Sequence, residues 1–127
     1  MTYIGRFAPS PTGPLHFGSL ITAVASYCDA KANQGTWLVR IEDTDIPRIY
    51  PNSESHILDC IDAFEFEPDA DIIFQKNRLD LYEEVLEQLK QAQQIYACEC
   101  TRKQLGSNHI YVGTCRDLHL DFLNQAI

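Results

Sequence analysis

"TWLVRIED", residues 36–43, is an apolar and largely β-branched run with few polar interruptions, and it reads as a strand. Immediately before it, residues 16–33 carry a helical pattern. Leu20, Val24, Tyr27 and Cys28 fall on one stripe, with Ile21 beside it. Gly35 stands near the C′ position, where a helix can stop. Further back, residues 3–8 read as a short strand closed by a Pro-rich loop. Strand, helix and strand in that order make a βαβ unit, and such a unit predicts a parallel sheet in an α/β fold.

Downstream, a loop with Pro47 and Pro51 leads to a helix over residues 53–64. Asn52 or Ser53 is its candidate cap, and Ile57, Cys60, Ile61 and Phe64 its expected inner face. "DIIFQ" is short and strand-like. Asn77 can cap a longer helix to about residue 94, with Tyr82, Val85, Leu86 and Leu89 inward. "IYAC" can form another strand, residues 98–115 are irregular, and the last dozen residues suggest a short helix. Cys28 and Cys60 sit on apolar helical stripes and are expected to be small buried hydrophobes.

The 127 residues suffice for one domain with a real core. No apolar run approaches the ~20 residues that span a bilayer, and the start lacks the basic and apolar regions of a secretion signal. No membrane role is therefore expected. A net charge of −8 argues against a surface that is basic throughout, but Arg102, Lys103 and Arg116 fall in one short segment. Five cysteines, an odd number without a secretion signal, point to a reducing, cytoplasmic compartment.

Two places carry chemistry. The first is "RFAPSPTGPLHFGSL", residues 6–20, the first strand-to-helix junction of the expected sheet. Ligands of open α/β sheets bind at the carboxyl ends of strands, and a helix start offers unpaired N–H groups to phosphate. Gly18 would admit a close ligand, and His16 and Ser19 would hydrogen-bond phosphate oxygens. Spacing alone leaves an ordinary capped helix with an incidental histidine equally open. The second place is "CECTRKQLGSNHIYVGTC", residues 98–115, which holds three of the five cysteines. Cys98, Cys100 and Cys115 suit a structural zinc site that is one ligand short, and Tyr111, His109, His119 or water are candidates for the fourth position.

The junction closely resembles the signature of glutamate-specific class I aminoacyl-tRNA synthetases. "HFGS", residues 16–19, stands where that class has its His-Ile-Gly-His-type ATP motif, and "LVRIEDTDIPR", residues 38–48, resembles the family's second block. The resemblance runs from Tyr3 to about Arg116. It implies the N-terminal half of a class I synthetase Rossmann-type parallel sheet with an inserted or appended zinc knuckle. The expected division is residues 1–97 for the nucleotide fold, 98–116 for the knuckle and 117–127 for the start of a missing C-terminal portion.

The resemblance also implies a reaction. Glutamate's carboxylate attacks the α-phosphate of ATP, Mg²⁺ accompanying, and the glutamyl group then passes to RNA. His16, Gly18 and Ser19 would hold ATP, with His16 and Ser19 catalytic. Arg6, Ala8 and Ser10 would line the glutamate site, and Glu42 would accept from the α-ammonium group. The alternative for Arg6 and Glu42 is an ion pair with each other. Asp43, Asp45 and Arg48 would fix their loop.

"IYVGTCR" resembles the knuckle ending of a shorter paralogous family, in which Cys, Cys, Tyr and Cys hold zinc, and this implies Tyr111 as the fourth ligand. That family attaches glutamate to queuosine in the anticodon of tRNA(Asp). A monomer is expected, with glutamate, ATP and queuosine-bearing tRNA(Asp) as partners. Two alternatives are the N-terminal catalytic part of a glutamyl-tRNA synthetase charging tRNA(Glu), and a non-catalytic zinc-stapled binding module. The family's core is more than twice this length and includes a Lys-Met-Ser-Lys-Ser-type loop with no counterpart here, so the 127 residues alone are expected to be inactive.

Overall fold

The computed structural model describes residues 3–101, 103–105 and 110–122. Arg102 of the basic segment, the alternative ligand His109 and the end of the expected terminal helix lie outside them. The chain forms two compact units, residues 1–79 and 80–127.

In the first unit, β1 (Ile4–Phe7), α1 (Phe17–Ala32), β2 (Thr36–Ile41), α2 (Ser53–Ala63) and β3 (Ile73–Phe74) follow in order. The three strands form a parallel sheet in the order β1-β2-β3. Arg6 pairs with Leu38 and Arg40 with Ile73. The α/β fold with a parallel sheet is thus present as the sequence predicts.

Alternation along the strands sends Phe7, Trp37, Val39 and Ile41 to one face, where they meet Ala23 and Ala30 of α1 and Ile57 and Ile61 of α2. The Trp37 indole stands edge-on to Tyr27, with centroids 5.1 Å apart. Its Nε1–H donates to Ser26 Oγ at 2.9 Å, so the one polar group of the largest core side chain is satisfied. The other face of the sheet carries Arg6, Leu38, Arg40 and Ile73, which line a shallow cavity of about 90 Å³.

The inner face of α1 differs from the expected stripe. Only Ala23 and Ala30 are fully buried, whereas Ile21 and Val24 are exposed, and so is Cys28. The cause is how closely the helix approaches β1. A methyl group on Gly5 would lie 2.8 Å from Ser26 O and 2.9 Å from Ala30 Cβ, so only small residues fit at that contact. In α2, Ile57 and Ile61 are buried as predicted, Cys60 is half-buried, and Phe64 is exposed as the helix ends.

The helix stop is also one residue earlier than predicted. Gln34 takes the left-handed conformation (φ 50°) and Gly35 follows it. Gly35 N–H donates to Ala30 O and Gln34 N–H to Lys31 O, which is a Schellman motif. Gly35 is needed for a different reason, since a Cβ there would meet Tyr3 O at 2.4 Å, where β1 and β2 join. Asn52 occupies the α2 cap in the left-handed region without a side-chain capping bond.

In the second unit, α3 (Leu79–Gln91) ends earlier than predicted. Asn77 belongs to the 3₁₀ turn Gln75–Arg78 that leads into α3 and does not cap it. Leu86 and Leu89 are half-buried and Tyr82 and Val85 exposed. Residues 95–98 pair with no strand among the described residues, because the chain there turns into the cysteine cluster. No helix among the described residues is long and apolar enough to cross a membrane.

Candidate functional site

β1 runs into the Pro-rich loop, and α1 begins at its far end. His16 is the N-cap of α1 in extended conformation, and its Nδ1 accepts from Ser19 N–H at 3.1 Å. An accepting Nδ1 carries no proton, so the neutral ring holds its proton on Nε2. Ser19 Oγ lies 3.2 Å from Nε2. Gly18 leaves this pose room, since with a Cβ there, 3.2 Å away, the His16 ring would have to give by a few tenths of an ångström. No acidic residue occupies the first turn of α1, so the positive end of the helix is uncompensated. Ser10, His16 and Ser19 line one cavity of about 320 Å³ together with Pro9, Gly13 and Pro14. Its walls offer a ring N–H, the hydroxyls of Ser10, Thr12 and Ser19 and a helix start, a donor set suited to phosphate.

The shallow cavity on the open face of the sheet brings Arg6 and Ala8 together with Arg40. Ser10, expected beside Arg6 and Ala8, lines the His16 cavity instead. Arg6 makes no ion pair among the described residues. The alternative pairing of Arg6 with Glu42 is not formed, since Glu42 Oε1 is held by Arg40 Nη2 at 2.5 Å. Glu42 N–H donates to Pro9 O at 2.9 Å, tying the end of β2 to the loop after β1. Sequence reasoning missed Arg40. The signal was available, because strand alternation puts residues 38, 40 and 42 on one face.

The loop after β2 is fixed as expected. Asp43 is buried and accepts from Lys76 N–H at 2.8 Å, while Lys76 Nζ reaches Asp43 Oδ2 at 3.2 Å and Glu54 at 2.7 Å. Glu54 first and Asp43 second raise the pKa of Lys76. Asp45 pairs with Arg48.

In the second unit, Cys98, Cys100 and Cys115 bring their sulfurs within 4.8 Å of one another and could hold a metal ion. Cys100 and Cys115 Sγ are 3.5 Å apart, near the ~3.8 Å edge of a tetrahedron with 2.3 Å metal–sulfur bonds. Tyr111 Oη accepts from Cys115 N–H at 2.8 Å, which places the phenol at the cluster. His119 does not join the thiols and lines a separate cavity. The Cys100 thiol is pushed up to about 11, first by its hydrogen bond to Cys115 and then by burial. The Glu99 backbone N–H is the main cause of a lowered Cys115, and burial the main cause of a raised Tyr111. A bound dication would reverse the upward shifts by stabilising the anions.

The family model described as tRNA synthetases class I (E and Q), catalytic domain, matches residues 4–112. The chain is 77% identical over 125 residues to a glutamyl-Q tRNA(Asp) synthetase of Acinetobacter baylyi, covering 98% of this chain and 43% of that protein. It is 50% identical to one of Dechloromonas aromatica, covering 90% and 41%. A crystal structure of a glutamate tRNA ligase from Elizabethkingia meningosepticum, in complex with its amino acid, superposes with TM-score 0.68 at 33% identity, covering 83% of this chain and 22% of that one. The chain therefore spans about two fifths of the length of these curated relatives.

Proposed function

The chain belongs to the catalytic-domain family of class I tRNA synthetases (E and Q), and on that premise we propose that it is part of an enzyme that activates glutamate with ATP and attaches it to queuosine in tRNA(Asp). The observation that carries this reading is the pair of cavities beside β1, one rich in phosphate donors and one holding two guanidinium groups.

ATP phosphates would sit in the His16 cavity. His16 Nε2–H and Ser19 Oγ donate to them, and the α1 N-terminus favours their charge. Gly18 keeps the His16 ring free to hold that pose. Ser10, on the same wall, supplies a further hydroxyl towards either substrate. Arg6 would pair with a glutamate carboxylate beside Ala8, where its unpaired fork can bind both oxygens. Glu42 would accept from the α-ammonium group, with Arg40 holding its carboxylate in place. In-line attack of carboxylate on the α-phosphate needs positioning and charge stabilisation more than covalent help, and these residues supply both. Mg²⁺ would accompany ATP. Cys98, Cys100, Tyr111 and Cys115 would hold zinc, which contributes folding energy to an otherwise irregular segment.

The test uses the protein at the full length of its relatives, labelled glutamate, ATP, and tRNA(Asp) with and without queuosine. Glutamate attached only to queuosine-bearing tRNA(Asp) is expected. Attachment to tRNA(Glu) would assign the chain to glutamyl-tRNA synthetase instead, and failure to activate glutamate at all would leave only a binding module.

A further inference from the structure

The second unit contains a cavity of about 590 Å³ that none of this chemistry uses. Its walls include Lys90, Gln94, Tyr96, Arg116, His119 and Phe122, and among the described residues no carboxylate, in a chain of net charge −8. Its volume lies within the range of sites that take small organic ligands.

The cations stand on aromatic rings. Lys90 Nζ lies 5.0 Å from the Phe122 centroid, and the Arg116 guanidinium 5.8 Å from that of Tyr96. A ring face orients a cation without neutralising it. Arg116 has no ion-pair partner among the described residues, and Lys90 has only Glu87 at 3.5 Å, one turn back on α3. Positive charge is thus available to an incoming anion at two separate points. The same walls carry flat surfaces, the Arg116 guanidinium plane and the Phe122 ring, and the Gln94 amide.

A nucleotide in single-stranded RNA presents the matching parts. Its base has a π-face to stack on a ring or guanidinium plane, its edge takes hydrogen bonds from an amide, and its phosphates seek cations. We infer that this cavity binds one nucleotide of a single-stranded segment of the RNA substrate, with the base on Arg116 or Phe122 and the flanking phosphates on Lys90 and Arg116. The inference rests on the RNA-charging function proposed above. It adds a contact outside the site where glutamate and ATP meet.

The geometry also ties this cavity to the cysteine cluster. Tyr96 stacks on Tyr111, with centroids 6.3 Å apart and planes 24° from parallel, and Arg116 directly follows the buried Cys115. The knuckle therefore positions two walls of the cavity.

The experiment measures binding of fluorescently labelled, queuosine-bearing tRNA(Asp) to the full-length protein over a range of salt concentrations. The double variant Lys90→Gln/Arg116→Gln should raise Kd at least tenfold. Loss of two phosphate contacts should also shrink the slope of log K against log salt by about 1.4. Melting curves check that the variant is folded. Should it not fold, 4-thiouridine-substituted tRNA is crosslinked to the wild-type protein, with adducts expected on peptides carrying residues 90–96 or 116–122. Unchanged Kd and slope in a folded variant, or adducts confined to other peptides, would overturn the inference while leaving the function intact. A variant that loses AMP but not tRNA would assign the cavity to a free nucleotide and overturn it too. A wild-type protein that binds no tRNA would overturn both readings.

Discussion

Gly5→Ala is the smallest change that should disturb fold and site together. The added methyl group would lie 2.8 Å from Ser26 O, 2.9 Å from Ala30 Cβ and 3.2 Å from Trp37 Cδ1. The first of these is backbone, so no rotamer change relieves it. To reach an ordinary separation of about 3.5 Å, α1 must retreat from β1 by roughly 0.7 Å. Overpacking of this kind costs about 1–3 kcal/mol, and for a unit of this size each kcal/mol lowers Tm by roughly 5 °C. A fall in Tm of roughly 5–15 °C is therefore expected for Gly5→Ala. The same retreat carries His16, at the start of α1, away from Arg6 on β1. Misplacement approaching 1 Å between reacting groups costs up to about a hundredfold, so glutamate-dependent ATP–pyrophosphate exchange by the full-length variant should fall roughly tenfold or more. Calorimetry and the exchange assay read the two effects. A variant matching wild type in both would refute the idea that the absent side chain of Gly5 sets the helix–sheet distance.

Other consequences follow from helix ends and ion pairs. Helices α1, α2 and α3 each close with a non-glycine residue in the left-handed region, Gln34, Glu65 and Gln93. Replacing Gln34 with Gly should stabilise the chain by about 0.5–1 kcal/mol, less than the backbone strain because glycine also loosens the unfolded chain. A lower denaturation midpoint would contradict that account. The Asp69 carboxylate accepts from Lys31 Nζ with both oxygens at 2.8 Å and from Trp37 N–H at 2.7 Å, and Lys31 first, then Trp37, lowers its pKa. A depressed carboxylate contributes stability above about pH 4 that is lost as pH falls through its folded value. Lys31, raised chiefly by Asp69, contributes stability below about pH 10 that is lost as pH rises through its own folded value. Asp69→Asn should flatten both limbs of a urea-midpoint-against-pH profile, and an unaltered acid limb would rule the carboxylate out as its source.

The βαβ unit was legible because each element had the period of its structure and the turn residues that bound it. In the folded chain, strand alternation within β2 buries Trp37, Val39 and Ile41. The inner face of α1 was not legible. Hydropathy favours Ile21 and Val24 over Ala23 and Ala30, yet the alanines are the buried ones, Ala30 at the close approach to Gly5. Cys28 was misplaced with that stripe. Motif order singled out His16 and Ser19, which share one cavity, and three thiols that cluster, but could not divide loop residues between cavities. The turn through three prolines carries Ser10 to the side of His16 rather than Arg6. The 590 Å³ cavity was invisible in the sequence, because Lys90, Tyr96, Arg116 and Phe122 share no period.

On the proposed function, one ring at the start of α1 would perform two tasks, the observed cap and the proposed phosphate contact, and this governs how any variant there must be interpreted. Removing the imidazole with His16→Ala deletes the acceptor for Ser19 N–H, so helix stability drops by about 1 kcal/mol whether or not a nucleotide ever binds. Asparagine is among the best capping residues but lacks the reach of an imidazole Nε2. The difference between the alanine and asparagine variants at position 16 isolates the cap, and what asparagine fails to restore belongs to the ligand.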